Sequence, residues 1–284
     1  MRELLENACQ RAIAYLDGLA NRRVFPDAKA IERLGELDLP LPNEGTDSQA
    51  ILKTLDEVGS PATVATAGSR YFGFVIGGSL PASLAAQWLA GAWDQNVGLV
   101  SASPIGAKLE EVSLRWLLDV LDLPSETGIG FVTGATMANF AALAAARHSL
   151  LAGQNWDVET QGLFGAPPIT VIVGDEVHVS VLKALSMLGF GRERLIRVPV
   201  DSQGRMRADA LPVMDDKTLI CIQAGNVNTG AFDPAREICE SAHQAGAWVH
   251  VDGAFGLWAR ACPKLKHLAD GVDLADSWAT DAHK

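Results

Sequence analysis

WVHVDGAFG at 248–256 carries the decision about the fold. The run WVHV reads as a short buried strand, and Asp252 leaves it into a turn of small residues. A carboxylate at the end of an apolar run is costly to bury alone, so Asp252 calls for a cation or a protonated nitrogen. His250, inside the run, reads as core packing. LADSWA at 274–279 is a second such run, and it leads into TDAHK, which places Lys284 32 residues after Asp252.

Outward from that pair, short β-branched runs alternate with helical stretches. Strands are expected at 129–133 (IGFVT), 169–173, 194–198, 218–223 and, as above, 248–251 and 274–279. Helices are expected at 136–151, 178–188 and 233–246, with KLEEVSLRWLLDVL at 108–121 presenting Leu109, Val112, Trp116 and Val120 on one face. The alternation predicts an α/β fold, a mostly parallel sheet covered by helices with ligand chemistry at the strand ends.

Three strand ends carry further candidates. TGATMANF at 133–140 joins a strand to an Ala-rich helix, and Gly134, Ala135 and Thr136 make either a phosphate cradle or a plain strand-to-helix turn. It is neither GxGxxG nor a P-loop, so nucleotide binding finds no support. His178 opens a helix after VIVGDE, where an imidazole can stack on a flat ring or simply cap the helix. In QAGNVNTGAFDP, Asp233 is expected to cap a helix that starts at Pro234, while Asn226, Asn228 and Thr229 offer polar atoms to a ligand.

The bounds agree with a soluble globular protein. The 284 residues hold 48% hydrophobic and 20% charged residues, and a net charge of −11 without a basic stripe excludes a nucleic-acid partner. Cys9, Cys221, Cys239 and Cys262 have no spacing suited to zinc and read as free thiols in a reducing cytoplasm. Residues 2–19 form an amphipathic helix, not a signal peptide, and SLPASLAAQWLAGAW at 79–93 is too short to span a bilayer. Residues 1–60, broken by DLPLPNEG at 38–45, read as an N-terminal helical arm, and 61–284 as the large domain. SRYFGFVIGG at 69–78 reads as a core turn or a pocket wall.

An acidic residue leaving one buried apolar run and a His-Lys at the end of another suit pyridoxal 5'-phosphate: the carboxylate can pair with the ring nitrogen and the amine can form a Schiff base. TGATMANFAAL, HVSVLKA, AGNVNTGAFDP, HVDGAFG and DSWATDAHK, in that order, resemble the group II pyridoxal phosphate-dependent decarboxylases, which include glutamate, aromatic amino acid and diaminobutyrate decarboxylases. The resemblance covers roughly 70–284. It implies the aspartate aminotransferase type I fold and a cofactor-binding large domain. It also implies decarboxylation of an L-amino acid to its amine by a homodimer with sites at the subunit interface.

Residue by residue, the resemblance implies Lys284 as the Schiff-base lysine, Asp252 on the ring nitrogen, and His178 and Ala254 against the two ring faces. Ala135, Thr136, Ser277 and His283 would hold the phosphate. Gly73 and Leu99 stand where aromatic-substrate members carry Pro and Phe. The family also continues past the lysine with a mobile tyrosine loop and a small C-terminal domain, so the chain is expected to be one segment of a longer protein. Other pyridoxal phosphate chemistry on the same scaffold, an aldehyde-lyase or a class V aminotransferase, and a non-catalytic relative remain as alternatives.

Overall fold

The structure is a computed structural model describing residues 1–284. Its helices are α1 (Arg2–Gly18), α2 (Ala28–Arg33), α3 (Ser48–Thr54), α4 (Pro81–Trp93), α5 (Pro104–Leu121), α6 (Ala135–Gly153), α7 (Val158–Gln161), α8 (Val179–Met187) and α9 (Ala235–Gln244). The strands are β1 (Thr170–Gly174), β2 (Ile196–Val198), β3 (Thr218–Gln223), β4 (Trp248–Asp252) and β5 (Ser277–Ala279). The chain divides into two compact bodies, one of 1–89 with 283–284 and one of 90–282. No helix is long and apolar enough to cross a membrane.

The second body contains a five-stranded sheet in the order β2-β1-β3-β4-β5, and every pairing is parallel. β3 is buried at all six positions, which is why TLICIQ reads as a continuous apolar run and not as an alternating one. The pleat sorts its side chains to two faces. Ile172, Ile220, Ile222, Val249 and Val251 pack with Ile238, Cys239 and Ala242 of α9 and with Leu257. Val171, Val173, Leu219 and Cys221 pack with Leu143, Ala146 and Leu150 of α6 and with Val181, Ala184 and Leu185 of α8. β4 alternates in the same way, so His250 and Asp252 share the α6/α8 face.

The expected strand at 129–133 is absent. A strand is a pairing as well as a propensity, and no element here offers this segment a ladder: Phe131 and Val132 are 53% and 44% exposed. The helix over 104–121 forms, but its buried residues are Leu118 and Leu121, while Leu109, Trp116 and Val120 face outward.

Asp233 does not cap α9. That helix begins at Ala235 with no side-chain cap, and the Asp233 carboxylate instead accepts from the amides of Met206 and Gln223, both at 2.7 Å. It thereby fastens the 200–206 hairpin to the end of β3. Burial pushes the carboxyl up to about 6, against the pull of those two amides. An amide side chain would turn an NH2 toward one of two fixed donors. Asp233→Asn is therefore expected to destabilise the protein by about 1–3 kcal/mol, read from the denaturant midpoint; an unchanged midpoint would refute the tie. Gly256 has a related constraint, since a Cβ there would overlap the Ala224 carbonyl at the exit of β3.

The first body is helical. Asp27 and Asp47 cap α2 and α3 through the amides of Ala30 and Ala50. Its packing extends past residue 60: Ala65 is 2% exposed and its amide donates to the Val24 carbonyl, and Tyr15 meets Thr63 through their hydroxyls. In 69–78, Phe72 and Phe74 are 92% and 88% exposed, so that stretch is not a core turn.

Candidate functional site

The carboxyl ends of β1, β3 and β4 gather the polar groups of the second body. β1 ends at Gly174, and Glu176 just beyond it ties two exits together. Its carbonyl accepts from Gln223 Nε2 at 3.2 Å and its carboxylate from Asn226 Nδ2 at 3.1 Å. Asn226 also accepts from the amides of Asn228 and Thr229, so its side chain organises the turn after β3 and is not free for a ligand.

His178 is the N-cap of α8, its ring accepting from the Ser180 amide at 3.2 Å through Nδ1. Capping fixes the ring at the helix start and leaves Nε2 and the ring face for another role. Asp252 ends β4 beside Ala279 of β5 and is 4% exposed. Burial raises its pKa above the usual carboxylate range, while the Ala254 amide, the charge of His178 and the polar side chains of Asn139 and Ser180 favour the ionised form. The Ala254 amide donates to Oδ1 at 3.2 Å. No ion pair reaches this carboxylate, so its surroundings leave room for a directly bonded cation.

Ala135 and Thr136 open α6. Gly134 stands at the N-cap with φ 152°, no side chain caps the helix, and a Cβ at Gly134 would meet nothing within 4 Å. Uncapped amides over open space suit an anion. Ala254, half-buried, follows Asp252 and its carbonyl accepts from the Asp281 amide. Ser277 sits inside β5, opposite His250 in register, and its hydroxyl is taken up by Trp248 Nε1 at 2.9 Å and His250 Nδ1 at 3.0 Å. Its hydroxyl therefore serves the sheet interior. His283 and Lys284 group with the first body, where the Gly77 amide donates to the His283 carbonyl at 2.9 Å; both side chains are exposed.

Asn139 went unnoticed in the sequence. It occupies the first place of the buried α6 stripe Asn139, Leu143, Ala146, Leu150, and a polar residue in an apolar stripe was the available signal. Its Oδ1 lies 2.9 Å from His250 Nε2. His250 is wholly buried, and desolvation pushes its pKa down from 6.5 to about 3. A base whose folded pKa is depressed lends stability above its unfolded pKa and withdraws it as the pH falls. The loss should reach about 2 kcal/mol by about pH 5. His250→Gln is expected to remove that part of the acid slope in denaturation curves at several pH values; an unaltered slope would exclude His250 as its source.

A separate open groove, lined by Arg205, Arg207, Phe232, Arg236 and His267 among others, has all three arginines paired, to Asp201, Asp209 and Asp270. Its lining also includes Met206 and Asp233, which tie the 200–206 hairpin to the end of β3.

Residues 32–284 match the pyridoxal-dependent decarboxylase conserved domain. Among curated proteins, the chain is 30% identical over 256 residues to the acidic amino acid decarboxylase GADL1 of Bos taurus, covering 87% of this chain and 48% of that one. It is likewise 30% identical over 294 residues to the aromatic-L-amino-acid decarboxylase of Bos taurus, covering 95% and 58%. A structure of Oryza sativa TDC with PLP and tryptamine superposes with a TM-score of 0.85 at 24% identity, over 98% of this chain and 62% of that chain. The fold is thus that of the type I pyridoxal phosphate enzymes, and the chain spans about half the length of the curated relatives it matches.

Proposed function

This chain belongs to the pyridoxal-dependent decarboxylase family, and we propose that it decarboxylates an L-amino acid to the corresponding amine and CO2 with pyridoxal 5'-phosphate as cofactor. One observation carries the reading. Asp252 is a carboxylate 4% exposed at a strand end that no ion pair reaches, and a protonated pyridine nitrogen supplies a directly bonded cation.

Bound pyridoxal phosphate provides the electron sink for the pair released when the bond between Cα and the carboxylate breaks. Asp252 holds the proton on the ring nitrogen, because an anion in a low-dielectric site favours the charged ring. His178, fixed by its capping bond to the Ser180 amide, would cover one face of the bound ring, and Ala254 would hold the other. The amides of Ala135 and Thr136 receive the phosphate, with His283 contributing from beside Lys284. Lys284 supplies the primary amine that carries the cofactor. Ser277 acts from within the sheet and not on the phosphate.

The substrate's side chain is left open by similarity, since relatives named for acidic and for aromatic amino acids match at equal identity. The test is product analysis of the loaded protein with a panel of L-amino acids, following CO2 and amine by mass spectrometry. One or two matching amines are expected; bound cofactor with an aldehyde or keto-acid product would replace the proposal with lyase or aminotransferase chemistry. Reduction with borohydride should leave the cofactor's mass on the peptide that contains Lys284, and a label on another lysine would remove that assignment.

We also propose a homodimer with its sites at the subunit interface, the arm of residues 1–60 crossing the partner, in a reducing cytoplasm. Four free cysteines support the compartment. The dimer is supported by apolar faces left open: α1 and α4 bury no residue, and Trp88, Leu89 and Trp93 of α4 are 45–55% exposed. Light scattering should give twice the chain mass; a monomer across micromolar concentrations would reject it.

A further inference from the structure

Four buried or half-buried residues outside the proposed cofactor contacts form one connected hydrogen-bonded chain behind Asp252. Trp248 Nε1 donates to Ser277 Oγ at 2.9 Å, and Ser277 Oγ lies 3.0 Å from His250 Nδ1. His250 Nε2 lies 2.9 Å from Asn139 Oδ1, and Asn139 Nδ2 donates to Ser180 Oγ at 3.2 Å. Ser180 Oγ in turn lies 2.8 Å from His178 Nδ1. His250 and Asn139 are both fully buried.

The polarity of this chain follows from its first member. An indole N–H can only donate. Ser277 must therefore accept from Trp248, and its own proton goes to His250 Nδ1, because a hydroxyl proton buried in the sheet with no other acceptor would be stranded. With Nδ1 accepting, the neutral ring carries its proton on Nε2 and donates to Asn139. The oxygen of Asn139 is thereby held toward His250, and its NH2, which can only donate, is turned toward Ser180 Oγ and favours the ionised form of Asp252. If the chain ran the other way, an amide oxygen would face the carboxylate, and two acceptors would repel.

We infer that Trp248, Ser277, His250 and Asn139 are positioning residues, a one-way hydrogen-bond relay that keeps a donor against Asp252 and so aims its carboxylate for a cationic ring nitrogen. The inference rests on the reading of Asp252 given above. The remaining titratable groups near Asp252 on this face are His178 and the Cys221 thiol, which burial first and Asp252 second keep protonated. The relay thus adds to the Ala254 amide a side-chain donor toward Asp252 whose direction is set from the sheet interior.

The test begins without cofactor. In 15N spectra of the ring nitrogens, with His250→Gln for assignment, His250 should be one neutral tautomer protonated on Nε2 from about pH 5 to about pH 8. Protonation on Nδ1 in the wild type would overturn the relay. Trp248→Phe, which removes the donor that sets the direction, should give a mixture of the two tautomers; an unchanged single Nε2–H form would also overturn it. Asn139→Asp puts a second carboxylate beside Asp252 and should weaken pyridoxal phosphate binding at least about tenfold by fluorescence titration. Wild-type affinity in that variant would count against the relay, and should it fail to fold, the two tautomer measurements still decide. Absence of cofactor binding by the wild type would overturn the proposed function alone, since the tautomers are read on the free protein.

Discussion

Asp252→Ala is expected to leave a folded protein that still takes up some cofactor and to lower kcat by about 10³-fold or more, the scale on which a preorganised charge acts on a developing transition state. Turnover within about tenfold of wild type would remove Asp252 from the proposed role. The companion Asp252→Asn is nearly isosteric and should lose as much, because an amide cannot hold the ring nitrogen protonated.

Stability should move the other way, and this separates loss of function from loss of fold. The carboxyl of Asp252 is raised by burial, with hydrogen bonds and His178 offsetting only part of that. A group whose folded pKa is raised lends stability below its unfolded pKa and withdraws it as the pH rises through the folded one. The cofactor-free wild type should accordingly lose stability with rising pH in a step that Asp252→Asn lacks, so the neutral variant is expected to be as stable or more stable near pH 7. Denaturation of both proteins across pH reads this directly. A less stable Asp252→Asn would mean that the carboxylate already has its partner within the chain.

How much of this was visible in the sequence depends on the range of the interaction. Strands over 170–174 and 218–223 and the helix over 135–153 are legible because period and β-branching are local. Asp252 and His178 are legible because a carboxylate or an imidazole at the end of an apolar run poses a local question. The expected strand at 129–133 fails because pairing is not local: the residues have strand character and no neighbour to bond. Asp233 was misread for the same reason, since its acceptors' partners, Met206 and Gln223, are 27 and 10 residues away. His250 was assigned to packing, which its burial bears out, but its bond to Asn139 spans 111 residues. No periodicity reveals such a pair.

Arg260 is the most distant of these cases and gives the second large prediction. Its side chain is 5% exposed and spends its whole donor fork on fixed acceptors. Nε donates to the Leu121 carbonyl at 2.7 Å, and Nη2 to the Asp122 carbonyl at 2.7 Å and its carboxylate at 2.8 Å. Nη1 donates to the Ala269 carbonyl at 3.2 Å and to Asp273 Oδ1 at 3.0 Å. Leu121 ends α5, and Asp122 follows it in the left-handed region at φ 51°, so the arginine satisfies carbonyls that a helix C-terminus leaves open and meets the negative end of its dipole. Arg260→Met keeps the stem and strands those carbonyls, together with the loss of a buried charge from its carboxylates. The expected loss is about 3–5 kcal/mol, at about 1–3 kcal/mol for each carbonyl left without a donor, a large share of a typical total of about 5–15 kcal/mol. Arg260→Lys should recover only part, because a single ammonium cannot serve Leu121 and Asp122 as a planar fork does. Arg236, whose two-bond pair with Asp270 is exposed, is the control: Arg236→Ala removes equally short hydrogen bonds, 2.8 and 2.9 Å, and should leave the denaturant midpoint nearly unmoved. If the two arginines proved equal, burial of the arginine would not be what gives Arg260 its weight.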